Sequence, residues 1–300
     1  MRISNQQLFE SSVNQMTQQH AKVAELQSQI GEGKQIMRPS DDADKTALVQ
    51  RLNSALGRQD VYSSALDAVA GRLDLEEAVI TNSTDILQRI KELALMVNGT
   101  TVDTDLEAIS TEVVSLKDAL LAQANQQDVN GNYLFSGSDT DTAAFTDVGG
   151  TVTYTGNQQR ITVDISENRY IELNRPGDAI FADVDRGGVD VGFFQVIDDF
   201  VVALDTDNET EINRALSEID SLTDSMTTSI VDIGARQRTV ELQQEIIADT
   251  KLRYELLVNA ETELDYTSAI TELTAEMLSL EAAQASFAKI SQLSLFDYIR

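Results

Sequence analysis

Cysteine and tryptophan are missing altogether, histidine occurs once and proline twice, and 22 basic residues face 50 acidic ones. Each shortage removes a class of chemistry. Without cysteine there are no disulfides and no thiolate metal ligands. With one histidine as well, an ordinary transition-metal cluster cannot form within one chain. A net charge of −28 repels nucleic acid and anionic membranes, which proteins meet first through Lys and Arg on phosphates. The bases are also interspersed with acids rather than gathered in a patch. No nucleic-acid and no membrane partner is therefore expected. No run approaches the roughly 18 apolar residues of a membrane-spanning helix, and "MRISNQQLFESS" lacks the apolar region of a secretory signal. No glycine-rich phosphate loop and no nucleophile elbow occur. The chain is expected to be no enzyme, with no catalytic residue, no cofactor and no metal site.

Against these absences stands an ordinary apolar fraction of 42%, enough to build a core. Its periodicity is mostly helical. The first thirty residues are rich in Gln, Asn, Ser and Thr, yet Phe9, Val13, Met16, Val23 and Ile30 fall at alternating four- and three-residue steps. His20 and Gln27 occupy the remaining positions of that stripe, so His20 is read as a packed seam residue. Gly31 and Gly33 supply a helix stop. After Pro39, the residues Ser40 and Asp41 are cap candidates for a second helix, with Asp42 and Asp44 favouring its positive end.

The second helix keeps two seven-residue registers, one through Leu48, Ala55, Tyr62, Val69, Ile90 and Val97. The other runs through Leu52, Leu66, Leu73, Ile80, Leu87 and Ala94, and the seam weakens at Gln59, Glu76 and Ser83. "NGT" at 98–100 ends it, and a third helix carries Leu106, Ile109, Val113, Leu116 and Leu120. Between about 131 and 192 the periodicity changes to short β-type runs such as "TVTYTG", "ITVDIS", "RYIELNRPG" and "AIFADVD". Helical spacing returns at "FFQVIDDFVVALD", continues through Ile212, Leu216, Ile219, Met226, Ile230 and Ile233, and resumes in a separate helix from about 235 to 260. The final helix carries Tyr266, Ile270, Leu273, Met277, Leu280 and Phe287, with Gln284 in the seam. The acidic runs "DVDRGGVD" at 183–190 and "DTDNETE" at 205–211 lack the glycine and glutamate placement of a calcium loop and read as solvated loops.

The two ends resemble each other in polarity and spacing, so they are expected to pair. A single helix pair with one narrow stripe buries too little to offset backbone ordering of roughly 1–2 kcal/mol per residue. The ends, 1–38 and 266–300, are therefore expected to be disordered in the monomer and to order when neighbouring copies surround them. Residues 39–130 and 193–265 form the helical bundle, and 131–192 a β-rich outer domain.

Several blocks are also similar to a known family. "GKQIMRPSDDADKTALVQRL" at 33–52, "IVDIGARQRTVE" at 230–241 and "LEAAQASFAKISQLSLFDYI" at 280–299 resemble the bacterial flagellin superfamily in sequence and order. The resemblance covers roughly 1–137 and 193–300. Ala43 stands where the family's proline usually follows the Asp-Asp pair, which leaves helix initiation to the caps. "GNYLFSGS" and the ending "LSLFDYI" are more like the subgroup at the junction of hook and filament than like flagellin.

The resemblance implies a mainly α fold with a β-rich insert. In it, long antiparallel helices form a flagellin-like elongated bundle, with the N- and C-terminal helices paired and the small β domain between them. It implies a structural subunit of the extracellular flagellum, exported unfolded by the flagellar type III apparatus. The partners it implies are like copies in a ring, a neighbouring hook-associated protein on the hook side and flagellin on the filament side. An export chaperone would hold the C-terminal region before that. Phe9, Val13, Met16, Val23 and Ile30 would meet Leu273, Met277, Leu280, Phe287 and Ile290 at the assembly interface, and Leu293, Leu295 and Phe296 would complete the contacts between subunits. A short flagellin and a cytoplasmic coiled-coil adaptor are the alternatives, and a hydrolase in the β insert has no positive support.

Overall fold

A computed structural model describes residues 2–99 and 106–298, with side chains for residue 7, residues 9–97 and residues 106–289. Seven helices and six short strands alternate among these residues: α1 Arg2–Glu32, α2 Ala43–Gly99, α3 Leu106–Ala124, β1 Phe145–Val148, β2 Thr151–Tyr154, β3 Thr162–Ser166 and β4 Arg169–Glu172. Next come α4 Gly177–Ile180, β5 Val184–Asp185, β6 Asp190–Val191, α5 Phe193–Asp205, α6 Glu209–Thr262 and α7 Tyr266–Tyr298. The fold is mainly α with a small β insert. It forms two compact units: a terminal unit, Met1–Arg58 with Thr250–Arg300, and a central unit, Gln59–Asp249. Both unit boundaries fall inside helices, α2 and α6.

In the central unit, α2 and α6 run antiparallel, as successive pairs show. Gln244 Nε2 donates to Asp67, Gln237 Nε2 donates to Asp74 and Glu77, and Lys91 pairs with Asp220. The α2 seam follows both expected registers, because Leu66, Val69, Leu73, Ile80, Leu87, Ile90 and Ala94 are all buried. The weak points of the pattern, Glu76 and Ser83, are buried with them. Ser83 meets its need locally by donating to the Val79 carbonyl.

Helix α6 departs from expectation. It is one helix of 54 residues with no break near 235. Buried Ile212, Ala215, Ile219, Leu222, Met226, Ser229 and Ile233 continue into Val240, Gln243 and Ile247 in one register. Gly234 costs roughly 1 kcal/mol of helix propensity, which an uninterrupted buried seam outweighs. The start of α2 also differs. Asp42, not Ser40 or Asp41, caps it by accepting from Lys45 N at 3.0 Å, while Asp41 accepts from Met37 N and Arg38 N and ties the preceding turn.

The insert consists of three separate antiparallel hairpins, β1–β2, β3–β4 and β5–β6. Gly149-Gly150 and Gly187-Gly188 turn the first and third, with φ of 69° and 92°, and 65° and 91°. Two consecutive left-handed residues make the turn whose twist matches that of the strands, and glycine enters it without strain. The hairpins pack on an aromatic core: Phe145 lies 5.3 Å from Phe181 and 5.4 Å from Phe194, and Phe135 lies 5.8 Å from Phe181. Gly137 lets the "LFSGS" loop close on this core. Its φ is 75°, and a Cβ there would fall 2.0 Å from the Asn157 carbonyl oxygen.

Two arginines fasten the insert to the helices. Arg72 on α2 donates from Nη2 to the Leu134 carbonyl at 2.8 Å. Arg186, in the β5–β6 turn, forks onto Glu218 of α6 with two bonds of 2.7 Å and reaches Asp199 of α5 at 2.7 Å. Read from sequence, 183–190 was a solvated acidic loop. In the fold its arginine joins two helices, because Glu218 is buried on α6 and a buried carboxylate needs a charged partner.

Candidate assembly interface

Antiparallel pairing of α1 with α7 sets the geometry of the terminal unit. The Phe9 and Phe287 rings meet at a tilt of 44° with centroids 4.9 Å apart, Gln19 Nε2 donates to Ser279 Oγ at 2.7 Å, and Lys22 pairs with Glu272 at 4.0 Å. Beyond the helix ends the two chain segments are stitched by a β-bridge between Lys34 and Glu263. Gln35 N donates to the Thr262 carbonyl at 2.9 Å, and Leu264 N to the Gly33 carbonyl at 3.1 Å. Gly33 has φ of 68°, and a Cβ there would stand 2.7 Å from the Tyr266 hydroxyl. Glycine is thus required both to stop α1 and to admit Tyr266.

The seam between α1 and α7 is built differently from the expected stripe. On α1 the covered positions are Ser12, Met16, Gln19, Val23, Leu26, Gln29 and Ile30; on α7 they are Ala269, Leu273, Glu276, Leu280, Ala283 and Phe287. Met16, Val23, Ile30, Leu273, Leu280 and Phe287 therefore lie on the seam, and Phe9 meets Phe287 at its end. Val13, His20 and Gln27 on α1, and Ile270, Met277 and Gln284 on α7, lie one residue beyond it and are exposed. The packed reading of His20 is corrected on this point. The physical reason is size: Ser12, Ala269 and Ala283 let the backbones approach, and the larger neighbours are turned aside.

Position within the heptad says where those neighbours go. In an antiparallel pair, the residues that follow the second seam position of each helix flank the same side. Val13, Ile270 and Met277 thus share one flank, and they are 37%, 51% and 44% exposed. Ile290, Leu293, Leu295 and Phe296 lie outside the described side chains.

Little holds this pair together on its own. Leu26, Leu264, Ala269 and Leu280 are its buried apolar side chains among the described residues. Gln19 Oε1 is buried without a partner. Neither helix has an acid in its first turn or a base in its last, so within these turns no side-chain charge complements the dipole. Asp265 does cap α7, accepting from Thr267 N, Ser268 N and Ser268 Oγ, and these bonds hold its carboxyl below the usual range.

No group of three or more His, Cys, Asp or Glu side chains that could hold a metal occurs among the described residues. No helix among them is long and apolar enough to cross a membrane.

Residues 3–140 match the bacterial flagellin N-terminal helical region. Flagellar hook-associated protein 3 of Escherichia coli strain K12 is 25% identical over 99% of this chain and 99% of its own length. A flagellin of Bacillus subtilis strain 168 is 22% identical over 97% of both chains. In fold, a flagellar hook-associated protein from Vibrio parahaemolyticus superposes with a TM-score of 0.69 at 22% identity, covering 74% of this chain and all of that one. The chain is thus similar over its first half to the bacterial flagellin N-terminal helical region, and from end to end to flagellar hook-associated protein 3.

Proposed function

We propose that this chain is the structural subunit that joins hook to filament in the bacterial flagellum, outside the cell, assembling through its paired terminal helices. One observation carries the reading. The α1–α7 seam leaves part of the apolar pattern outside it: Val13, Ile270 and Met277, on one flank, stay 37%, 51% and 44% exposed. Charge favours the same use of this surface. The terminal unit holds 11 of the 22 basic residues and only 14 of the 50 acidic ones, so its net charge is −3 against −25 for the central unit. Like copies can approach through the near-neutral unit without strong mutual repulsion.

Sister copies in a ring cover the flank, a hook-associated protein meets the ring on one side, and flagellin meets it on the other. Before assembly the chain crosses the export apparatus unfolded, with a chaperone on its C-terminal region. A thin seam suits that route, because little has to be undone.

Deletion of the coding region tests the reading. The expected cells carry hooks without filaments and release unpolymerised flagellin into the medium. Normal filaments on such cells would contradict the role. Purified chain that lengthens into filaments by itself under the electron microscope would select the filament subunit instead.

A further inference from the structure

Glu76 is a carboxylate without any solvent exposure, set in the α2 seam among Leu73, Ile80 and the arginines of two elements. Arg72 Nε stands 3.4 Å from Oε1, and Arg236 Nη2 on α6 stands 3.8 Å from Oε2. Neither carboxylate oxygen accepts a hydrogen bond, and Arg72 Nε, Arg236 Nε and Arg236 Nη2 are buried without hydrogen-bond partners as well. Both guanidinium groups turn their better contacts outward. Arg72 holds the Leu134 carbonyl and lies 4.0 Å from Asp128, and Arg236 pairs with Asp232 at 3.1 Å. Arg175, just after β4, shares Asp232 at 3.4 Å. The charged groups facing Glu76 are therefore Arg72 from its own helix and Asp232 with Arg236 from α6. Beyond them stand Asp128 from the loop before the insert and Arg175 from the loop within it.

We propose that Glu76 is a proton-controlled latch on the insert. With its proton on, Glu76 leaves Arg72 on the Leu134 carbonyl and Arg236 on Asp232. When the proton leaves to solvent, the bare carboxylate draws both guanidinium groups inward, and the hold on the start and end of the insert slackens.

Burial pushes the Glu76 carboxyl up to about 7 from an ordinary 4.5, overriding the opposing pull of Arg236 and Arg72. Because the folded value is the higher one, the folded state binds the proton more tightly than the unfolded chain. The stabilisation is complete below about 4.5 and is lost as pH rises through about 7.

The full chain and its Glu76→Gln variant, melted at low salt and at two pH values, test this. At about pH 4 the two should melt together; at about pH 8.5 the variant should melt higher by about 5 °C or more. In carboxyl-labelled wild type, the Glu76 resonance should titrate near neutrality, and the Phe135 amide, bonded to the Leu134 carbonyl, should shift with the same midpoint. Parallel melting profiles, a Glu76 resonance that titrates below about pH 5, or a Phe135 amide that stays still would each overturn the latch. If Glu76→Gln fails to fold, the wild-type titration alone decides.

Discussion

The central unit encloses an extended core of large side chains, whereas the terminal unit buries few and leaves several half in view. In the centre, Phe135, Phe181, Phe194 and Phe200 are closed off completely, and Glu76 and Glu218 are buried against arginines. In the terminal unit, Phe9, Tyr266, Ile270 and Met277 remain exposed beside a seam partly made of serine, alanine and glutamine. The charge is divided the opposite way, with most of the acid on the unit that is already complete. Complete units can afford mutual repulsion, since their cores hold without help. Under the proposed assembly a unit that meets like copies gains from being nearly neutral, and the terminal one, at −3, is.

Substitutions that treat the two units alike should therefore give unequal results. Phe181→Ala should cost about 3–5 kcal/mol in a urea titration of the full chain, because the rings of Phe135, Phe145, Phe193 and Phe194 around it collapse only partly into the cavity. Leu280→Ala, also a buried truncation, should leave that transition nearly in place and show instead as faster amide exchange along α1 and α7. Arg186→Ala should cost about 2–3 kcal/mol by the same titration, since it strands the buried Glu218 with only Arg214 at 3.5 Å. A Glu218→Gln partner change should recover part of the loss in a double-mutant cycle.

Gly137→Ala should cost about 2 kcal/mol, from both the left-handed backbone and the collision with Asn157. Met277→Asp should have the smallest effect on the isolated chain, within about 0.5 kcal/mol. In cells the same change should abolish filament attachment, because it places a charge on the flank through which assembly is proposed.

The sequence pattern revealed these regions unequally, and for a physical reason. Both registers of α2 could be read because large aliphatic residues fill nearly every seam position, so even Glu76 and Ser83 were placed by their neighbours. In α1, α6 and α7 many of the seam pairs have only one large member. The other is filled by Ser12 and Gln19, by Ala215 and Ser229, or by Ala269, Glu276 and Ala283. Reading large apolar residues alone therefore shifted half of each seam by one residue, to Val13, Leu216, Ile270 and Met277. The paired glycines of the hairpins were legible because turn chemistry is local. The Arg186 fork was not, because its partners Asp199 and Glu218 lie 13 and 32 residues away and nothing local distinguishes them from surface acids. The pairing of the two chain ends was legible from their shared polarity, although its seam was not.

Hydrogen exchange of the dilute full chain tests the division most directly. Amides of 9–30 and 269–287 should exchange orders of magnitude faster than those of 66–94 and 212–247, since the terminal seam lacks the burial that holds the centre. Equal protection in both sets, with no dependence on concentration, would mean that the chain ends are already complete within one molecule and have no need of sister copies.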